Sequence, residues 1–288
     1  MSLSAFSHRI GITTIQLTRI SAVSALKEGS WLLLLIIAAL SIPLPNITMS
    51  VLVRPVSLII GALCYRACLT PPTPPPESVD KVYKAAYTQG VFEKFVRALS
   101  FMSRTLVVAM FLCDLAVTLA LAYPREPPTA FFRNMCPSPP SNTNALLSVS
   151  FPFIVGLALC MSATALRLWC YRTLGRFFTF EVTLKPAHTL VTEGPYAYTR
   201  HPSYTGIFII FVGVWGMLFS ENGWIRQCGV MSSPMGLGVR LWLCIAVWTV
   251  YGLWQRTRIE DKNLRQRFGK VWDSYARDVP YRLIPGLY

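Results

Sequence analysis

The most regular feature of the chain is a series of long apolar runs separated by short polar segments. A helix needs about 20 apolar residues to cross a hydrocarbon core. The runs that approach this length lie at residues 31–48, 50–68, 100–122, 146–171, 203–220 and 236–254. Pro43 and Pro45 interrupt the first run, so a helical hairpin over residues 31–65 is an alternative to two complete spans. The pattern predicts an all-α, polytopic integral membrane protein with about six transmembrane helices.

Composition supports the membrane class. The 288 residues are 53% hydrophobic and only 14% charged, whereas about a quarter of a soluble domain is charged. The formal net charge of +14 comes from basic residues that lie mostly between and beyond the apolar runs. We interpret them as residues that set membrane orientation and face anionic lipid, so the lipid bilayer is a predicted partner and nucleic acid is not.

The distribution of Lys and Arg predicts the orientation. With six spans, one side of the membrane receives 21 basic residues and the other receives 3. Because cytosolic loops carry the excess, both termini are predicted to be cytosolic. The chain then divides into a cytosolic N-terminal arm (1–30), N-terminal transmembrane helices and loops (31–145), and a C-terminal region (146–288) that holds the last spans and ends in a cytosolic segment.

Asp114 and Arg54 are charged residues within the predicted spans. Asp114 lies in the middle of one, where a carboxylate is costly. It indicates either function or a hydrogen bond that packs neighbouring helices; we weigh the two equally and leave it off the site. Arg54 lies near a span end, where snorkelling of the side chain to the membrane surface explains it.

The eight cysteines show no CxxC pair and no Cys/His spacing typical of a metal site, so no metal is predicted. Most lie in or beside apolar runs, where Cys behaves as a small hydrophobic residue. Cys136 and Cys228 fall on the same predicted side of the membrane. A disulfide between them is an alternative, but unpaired thiols are the favoured interpretation.

The polar stretch 193–206, EGPYAYTRHPSYTG, directly precedes an apolar run. Pro202 suits the first turn of a helix, which places Arg200, His201, Ser203 and Tyr204 around a helix start at the membrane surface. The N–H groups and positive dipole end there favour a carboxylate or phosphate. An interfacial aromatic belt with a snorkelling arginine would explain Tyr196, Tyr198 and Arg200 singly. It does not explain His-Pro-Ser-Tyr-x-Gly at a helix start, so we favour a binding site.

A second polar segment follows the last run. Arg256 and Glu260 are four residues apart and share one helical face. Alone, they would be an ordinary surface ion pair of little value. The topology, however, places this face beside His201. Glu260 could then hold an ammonium group or ribose hydroxyls, and Arg256 could bind a carboxylate through two parallel hydrogen bonds.

The motifs in these two segments resemble the isoprenylcysteine carboxyl methyltransferase family, over about residues 170–285. The residues that carry the resemblance are His188-Thr-Leu-Val191, Gly194-Pro-Tyr196, Arg200-His-Pro-Ser-Tyr204 and Gly206, then Arg256-x3-Glu260-Asp261, Phe268-Gly269, Trp272, Tyr275 and Val279-Pro280. Glu181 departs from the pattern, since some family members place a Gln there near the cofactor.

The resemblance implies methylation of the α-carboxylate of a C-terminal prenylated cysteine by S-adenosyl-L-methionine, at the endoplasmic reticulum membrane. The partner would be a prenylated protein or peptide C-terminus. Arg256 would contact the substrate carboxylate, and Arg200 matches an arginine that the family also uses. The cofactor contacts would fall on His188, Thr189, Leu190, Val191, Tyr196, His201, Pro202, Ser203, Tyr204 and Glu260.

The chemistry is consistent with this expectation. A carboxylate is ionised at neutral pH, so its attack on a sulfonium methyl needs no general base, only alignment in a site with little water. Three alternatives remain: a membrane sterol reductase that uses NADPH and shares an RHPxY-like motif, a phospholipid or small-lipid methyltransferase of related architecture, and a non-enzymatic membrane scaffold. Binding of S-adenosylhomocysteine against NADPH discriminates among them.

Overall fold

A computed structural model describes residues 49–72, 91–123, 134–140, 142–178 and 189–287. This part of the chain is helical and contains no strand, as predicted. Short 3₁₀ turns at Val91–Lys94 and Gly194–Ala197 precede two of the helices. The α-helices are α1 Met49–Leu69, α2 Val96–Ala122, α3 Phe151–Leu174, α4 Pro202–Leu218, α5 Trp224–Gln227, α6 Gly236–Phe268 and α7 Lys270–Asp278.

Four helical segments in the described residues are long and apolar enough to cross a membrane: Leu52–Leu69, Val96–Ala122, Thr143–Leu174 and Gly236–Phe268. Helix α4 is apolar but has only 17 residues. The predicted run at 31–48 lies outside the described residues, so the number of six spans stays a prediction.

Helix α6 continues well past the predicted end of the last run at residue 254. Its 33 residues correspond to about 50 Å at 1.5 Å per residue, against a hydrocarbon core of about 30 Å. A large part of α6 must therefore extend beyond the core. Arg256 and Glu260 lie on this continuous helix, close to its C-terminal end.

Glycines bring α3 and α4 into close contact. A Cβ built on Gly213 would lie 2.7 Å from Cys160 Sγ and 2.8 Å from the Gly156 carbonyl oxygen. Small residues at a membrane helix interface allow the backbones to approach in this way. The contact fixes α4 against α3. Ser203 and Tyr204 lie in the first turn of α4, and His201 directly precedes this turn.

Arg54 and Asp114 form a fully buried ion pair between α1 and α2. Arg54 Nη2 donates to both carboxylate oxygens of Asp114 at 2.9 and 3.1 Å, and Nη1 donates to the Ser148 carbonyl oxygen at 2.9 Å. The snorkelling prediction for Arg54 is therefore wrong, because the guanidinium turns inward to a buried carboxylate. Of the two interpretations of Asp114, the packing contact is the one that the structure contains.

The prediction of unpaired thiols at Cys136 and Cys228 is also wrong, since the two form a disulfide. The segments around them are joined further by a hydrogen bond from Ser138 N–H to the Cys228 carbonyl oxygen at 3.1 Å. Trp224 Nε1 donates to the Met135 carbonyl oxygen at 2.7 Å. These contacts bring together two loops that are 92 residues apart, at the opposite end of α4 from His201.

Candidate active site

The start of α4 is fixed by the C-terminal segment of the chain. The backbone N–H groups of Arg200 and His201 donate to the carbonyl oxygens of Tyr281 and Arg282 at 3.0 and 2.8 Å. Thr205 Oγ1 donates to the Leu283 carbonyl oxygen at 2.6 Å. The two N–H groups that precede the helix are thus used within the protein and are not available to the anion expected at this helix start.

His201 lies between two adjacent carboxylates of α6. Its Nδ1 is 3.3 Å from Glu260 Oε2, and its Nε2 is 2.9 Å from Asp261 Oδ1. Burial lowers the pKa of His201, but the hydrogen bonds to Asp261 and Glu260 outweigh this effect, so the pKa lies above its ordinary value. The two polar segments of the sequence therefore meet at one place, as the topology predicted.

Glu260 is held by three side chains. Besides His201, the Tyr204 hydroxyl donates to Glu260 Oε1 at 2.5 Å, and Arg256 Nε donates to the same oxygen at 2.7 Å. Arg256 is only 5% exposed and also pairs through Nη1 with Glu93 Oε1 at 3.1 Å. Arg256 and Glu260 are therefore not an exposed surface pair, because Arg256 is buried and the Glu260 side chain is only 20% exposed.

Asp261 connects three segments of the chain. It accepts hydrogen bonds from Arg200 Nη1 at 2.8 Å and from Arg282 Nε at 2.9 Å, in addition to its contact with His201. Sequence reasoning quoted Asp261 only as part of a motif and missed this role. The available signal was an acidic residue adjacent to Glu260 on a helix that faces His201.

A cavity extends from this network into the helix bundle. Most of the predicted site residues line it: Leu190, Val191, Tyr196, Arg200, His201, Ser203, Tyr204, Arg256 and Glu260. Thr189 is exposed and Pro202 is buried at the start of α4, and neither lines the cavity. His188 and Glu181 lie outside the described residues.

Several lining residues were not predicted. Arg167 of α3 is almost fully buried, and its Nη1 donates to the carbonyl and hydroxyl oxygens of Ser203 at 3.0 and 3.1 Å. Trp272 and Tyr275 of α7 line the polar end, together with Asp261. The other end is lined mainly by apolar residues, Leu69, Phe92, Val96, Leu99, Ile207 and Leu253, and also by Ser100 and Ser103.

The polar end contains hydrogen-bonding atoms that the protein itself does not satisfy. Trp272 Nε1 and Arg200 Nε are buried without a hydrogen-bond partner, although buried polar atoms are normally paired. Burial raises the pKa of Tyr275, so its hydroxyl stays protonated and donates to the Tyr196 carbonyl oxygen at 2.8 Å. Donors at Trp272 and Arg200, with acceptors at Glu260, suit a polar molecule that carries both anionic and hydroxyl groups.

Comparison with known proteins agrees with this geometry. Residues 155–266 match the model of the isoprenylcysteine carboxyl methyltransferase (ICMT) family. The resemblance predicted from the motifs is confirmed. The matched region contains Arg167, His201, Arg256, Glu260 and Asp261, whereas Glu93 and Trp272 lie outside it.

Individual relatives match over a stretch of similar length. Protein-S-isoprenylcysteine O-methyltransferase B of Arabidopsis thaliana is 32% identical over 127 residues, which is 43% of this chain and 55% of the plant protein. Protein-S-isoprenylcysteine O-methyltransferase of Homo sapiens is 30% identical over 137 residues, 47% of this chain and 42% of the human protein. The chain thus spans about half the length of these relatives.

A different activity is named in one further relative. Delta(14)-sterol reductase of Mus musculus is 30% identical over 89 residues, which is 30% of this chain and 21% of the mouse protein. The similarity is shorter than that to the O-methyltransferases.

Proposed function

We propose that this protein transfers a methyl group from S-adenosyl-L-methionine to the α-carboxylate of a C-terminal prenylated cysteine. The observation that carries the proposal is one cavity with two chemically different ends. Its polar end contains His201, Glu260 and Asp261, its apolar end lies among transmembrane helices, and Arg256 lies on its wall. A polar cofactor and a lipidated carboxylate need this combination in one place.

The polar end fits the cofactor in its chemistry. Glu260 would accept hydrogen bonds from an ammonium group or ribose hydroxyls, while Arg200 Nε and Trp272 Nε1 would supply donors that are otherwise unsatisfied. When bound, the cofactor supplies a sulfonium methyl carbon to the carboxylate oxygen, and its sulfur leaves as a neutral thioether. The protein contributes alignment and exclusion of water; no side chain has to remove a proton.

Arg256 is the residue proposed to orient the substrate. Its guanidinium is buried beside Tyr204, with Cζ 5.5 Å from the ring centroid, and Arg is suited to bidentate binding of a carboxylate. Thr249 and Leu253 extend the same cavity along α6 toward its apolar part. A prenyl chain would follow this wall while its carboxylate reaches Arg256.

The membrane orientation belongs to the same proposal. The polar end of the cavity would face the cytosol, where the cofactor is available, and the Cys136–Cys228 disulfide lies at the other end of α4. Disulfides persist in oxidising compartments such as the endoplasmic reticulum lumen. We infer a multi-pass protein of the endoplasmic reticulum membrane with both termini in the cytosol.

Ligand binding in detergent separates this function from the sterol reductase alternative. We expect S-adenosylhomocysteine to raise the melting temperature and NADPH to leave it unchanged. The variant Arg256→Lys keeps the charge beside Glu93 and Glu260 but loses the planar fork. It should retain the S-adenosylhomocysteine shift and lose about 100-fold in turnover of a farnesylcysteine analogue, as expected for a misaligned nucleophile. Stabilisation by NADPH alone would contradict the proposal.

A further inference from the structure

The Val91–Lys94 turn lies outside the region that matches the family, yet it places one side chain in the cavity and another against Arg256. Phe92 and Glu93 are both buried, and Phe92 lines the cavity. Glu93 Oε1 is 3.1 Å from Arg256 Nη1. Glu93 thus contacts the arginine that is proposed to hold the substrate carboxylate.

Both contacts fall on one face of α6. Gly252 and Arg256 are four residues apart, so they are neighbours on the same side of the helix. A Cβ on Gly252 would overlap the ring of Phe92, so the absence of a side chain at 252 lets this ring lie against the helix backbone. Phe92 covers Gly252 and Glu93 pairs with Arg256, which docks the turn at two adjacent points.

Carboxylate binding at Arg256 requires a change in these contacts. Its Nε donates to Glu260 and its Nη1 faces Glu93, while a bidentate carboxylate needs two parallel N–H donors. A third carboxylate beside one buried guanidinium would also be poorly compensated. Glu260 is fixed within a 33-residue helix by His201, Tyr204 and Arg256, whereas Glu93 belongs to a four-residue turn. Glu93 is therefore the partner that gives way.

We propose that Phe92 and Glu93 occupy the positions that the substrate takes, and that they leave these positions when the substrate binds. This rests on the proposed function. An apolar group beside a carboxylate is also the chemistry of a prenylated cysteine at a chain terminus. The prenyl chain takes the surface of Gly252 that the Phe92 ring covers, and the α-carboxylate takes the place of the Glu93 carboxylate on Arg256. A substrate must therefore carry both a prenyl chain and a carboxylate in order to displace the Val91–Lys94 turn.

The first test is Glu93→Gln, with the KM for N-acetyl-farnesylcysteine and the affinity for S-adenosylhomocysteine as readouts. A neutral amide competes less well for Arg256 than a carboxylate, so we expect the KM to fall about three- to tenfold, with cofactor affinity unchanged. Lys94→Gln is the matched control, because Lys94 is exposed on the same turn and its removal should leave the KM unchanged. An unchanged or raised KM in Glu93→Gln, with wild type active, overturns the exchange.

The second test does not depend on the fold of that variant. A Phe92→Cys/Gly252→Cys protein can be oxidised to attach the turn to α6, and each single variant receives the same treatment as control. For each of the three proteins, turnover after oxidation is compared with turnover of the same protein after reduction, and this ratio should fall to near zero only for the double variant. Full turnover of the cross-linked protein overturns the exchange. Absence of methyl transfer by wild type would instead overturn the proposed function, and the exchange with it.

Discussion

Asp261→Asn is the substitution that tests the polar network most directly. The carboxylate accepts hydrogen bonds from Arg200 and Arg282 and contacts His201. Asn keeps one acceptor oxygen but removes the negative charge, which leaves cations without their partner. Breaking a fully buried pair costs about 3–5 kcal/mol. Asp261 and Arg200 are 6% and 11% exposed, but Arg282 is 31% exposed and partly solvated, so we expect about 2–4 kcal/mol.

A loss of this size should lower the melting temperature by roughly 4–16 °C, at about 2–4 °C per kcal/mol for a large domain. Tryptophan fluorescence of the protein in detergent measures it. The matched control is Asp273→Asn, since Asp273 also pairs with an arginine, Arg265, but the two are 42% and 66% exposed. Its melting temperature should change by less than about 2 °C. Equal shifts for the two variants would refute the argument that the Asp261 network is buried and stabilising.

Three further predictions concern stability. Because the pKa of His201 is raised in the folded protein, the contacts of its protonated ring stabilise the fold fully below about pH 6.5, and this stabilisation is lost as the pH rises through the folded pKa. The melting-temperature difference between wild type and His201→Asn should therefore shrink from pH 6 to 9. A difference that grows with pH would contradict the raised pKa. Reduction of the Cys136–Cys228 disulfide should cost about 2–4 kcal/mol, seen as a lower melting temperature with reductant in wild type but not in Cys136→Ser/Cys228→Ser. Asp114→Leu should cost about 3–5 kcal/mol by leaving Arg54 buried without its partner, and adding Arg54→Met should recover part of this loss; no recovery would indicate that the two side chains act independently.

Hydrophobic patterning predicted the helical elements because a membrane helix needs an apolar run of nearly fixed length. The run at 100–122 corresponds to α2, which the structure extends to Val96. The pattern placed the end of the last run at residue 254 since polar residues begin there. It could not show that α6 continues to Phe268, because hydropathy reports what crosses the hydrocarbon and not where a helix ends.

The core of the site was also within reach of the sequence. The sequence predicts that His201 and Glu260 lie together, because His201 precedes one membrane run and Glu260 follows another on the same side. The two side chains contact each other at 3.3 Å. Glu93 could not be found in this way. It lies 163 positions before Arg256 in a segment without a recognisable motif, and only the packing of the Val91–Lys94 turn on α6 brings the two side chains together.

Pairings between distant loops and helices were the main source of error. Arg54 was assigned to the membrane surface because its position near a span end is ordinary for an arginine, and the sequence does not show which face of α1 meets Asp114. Cys136 and Cys228 presented the same difficulty, since a disulfide requires two loops to meet within a few ångströms. In each case the decisive quantity was a tertiary distance.

The central claim is that one cavity brings a sulfonium methyl group and a prenylated carboxylate together. Transfer of labelled methyl from S-adenosyl-L-methionine to N-acetyl-farnesylcysteine by the purified protein tests it most directly. The account predicts that wild type forms a base-labile methyl ester and that Arg256→Lys forms it about 100-fold more slowly. A protein that binds the cofactor but esterifies no prenylcysteine, or an Arg256→Lys variant as active as wild type, would contradict it.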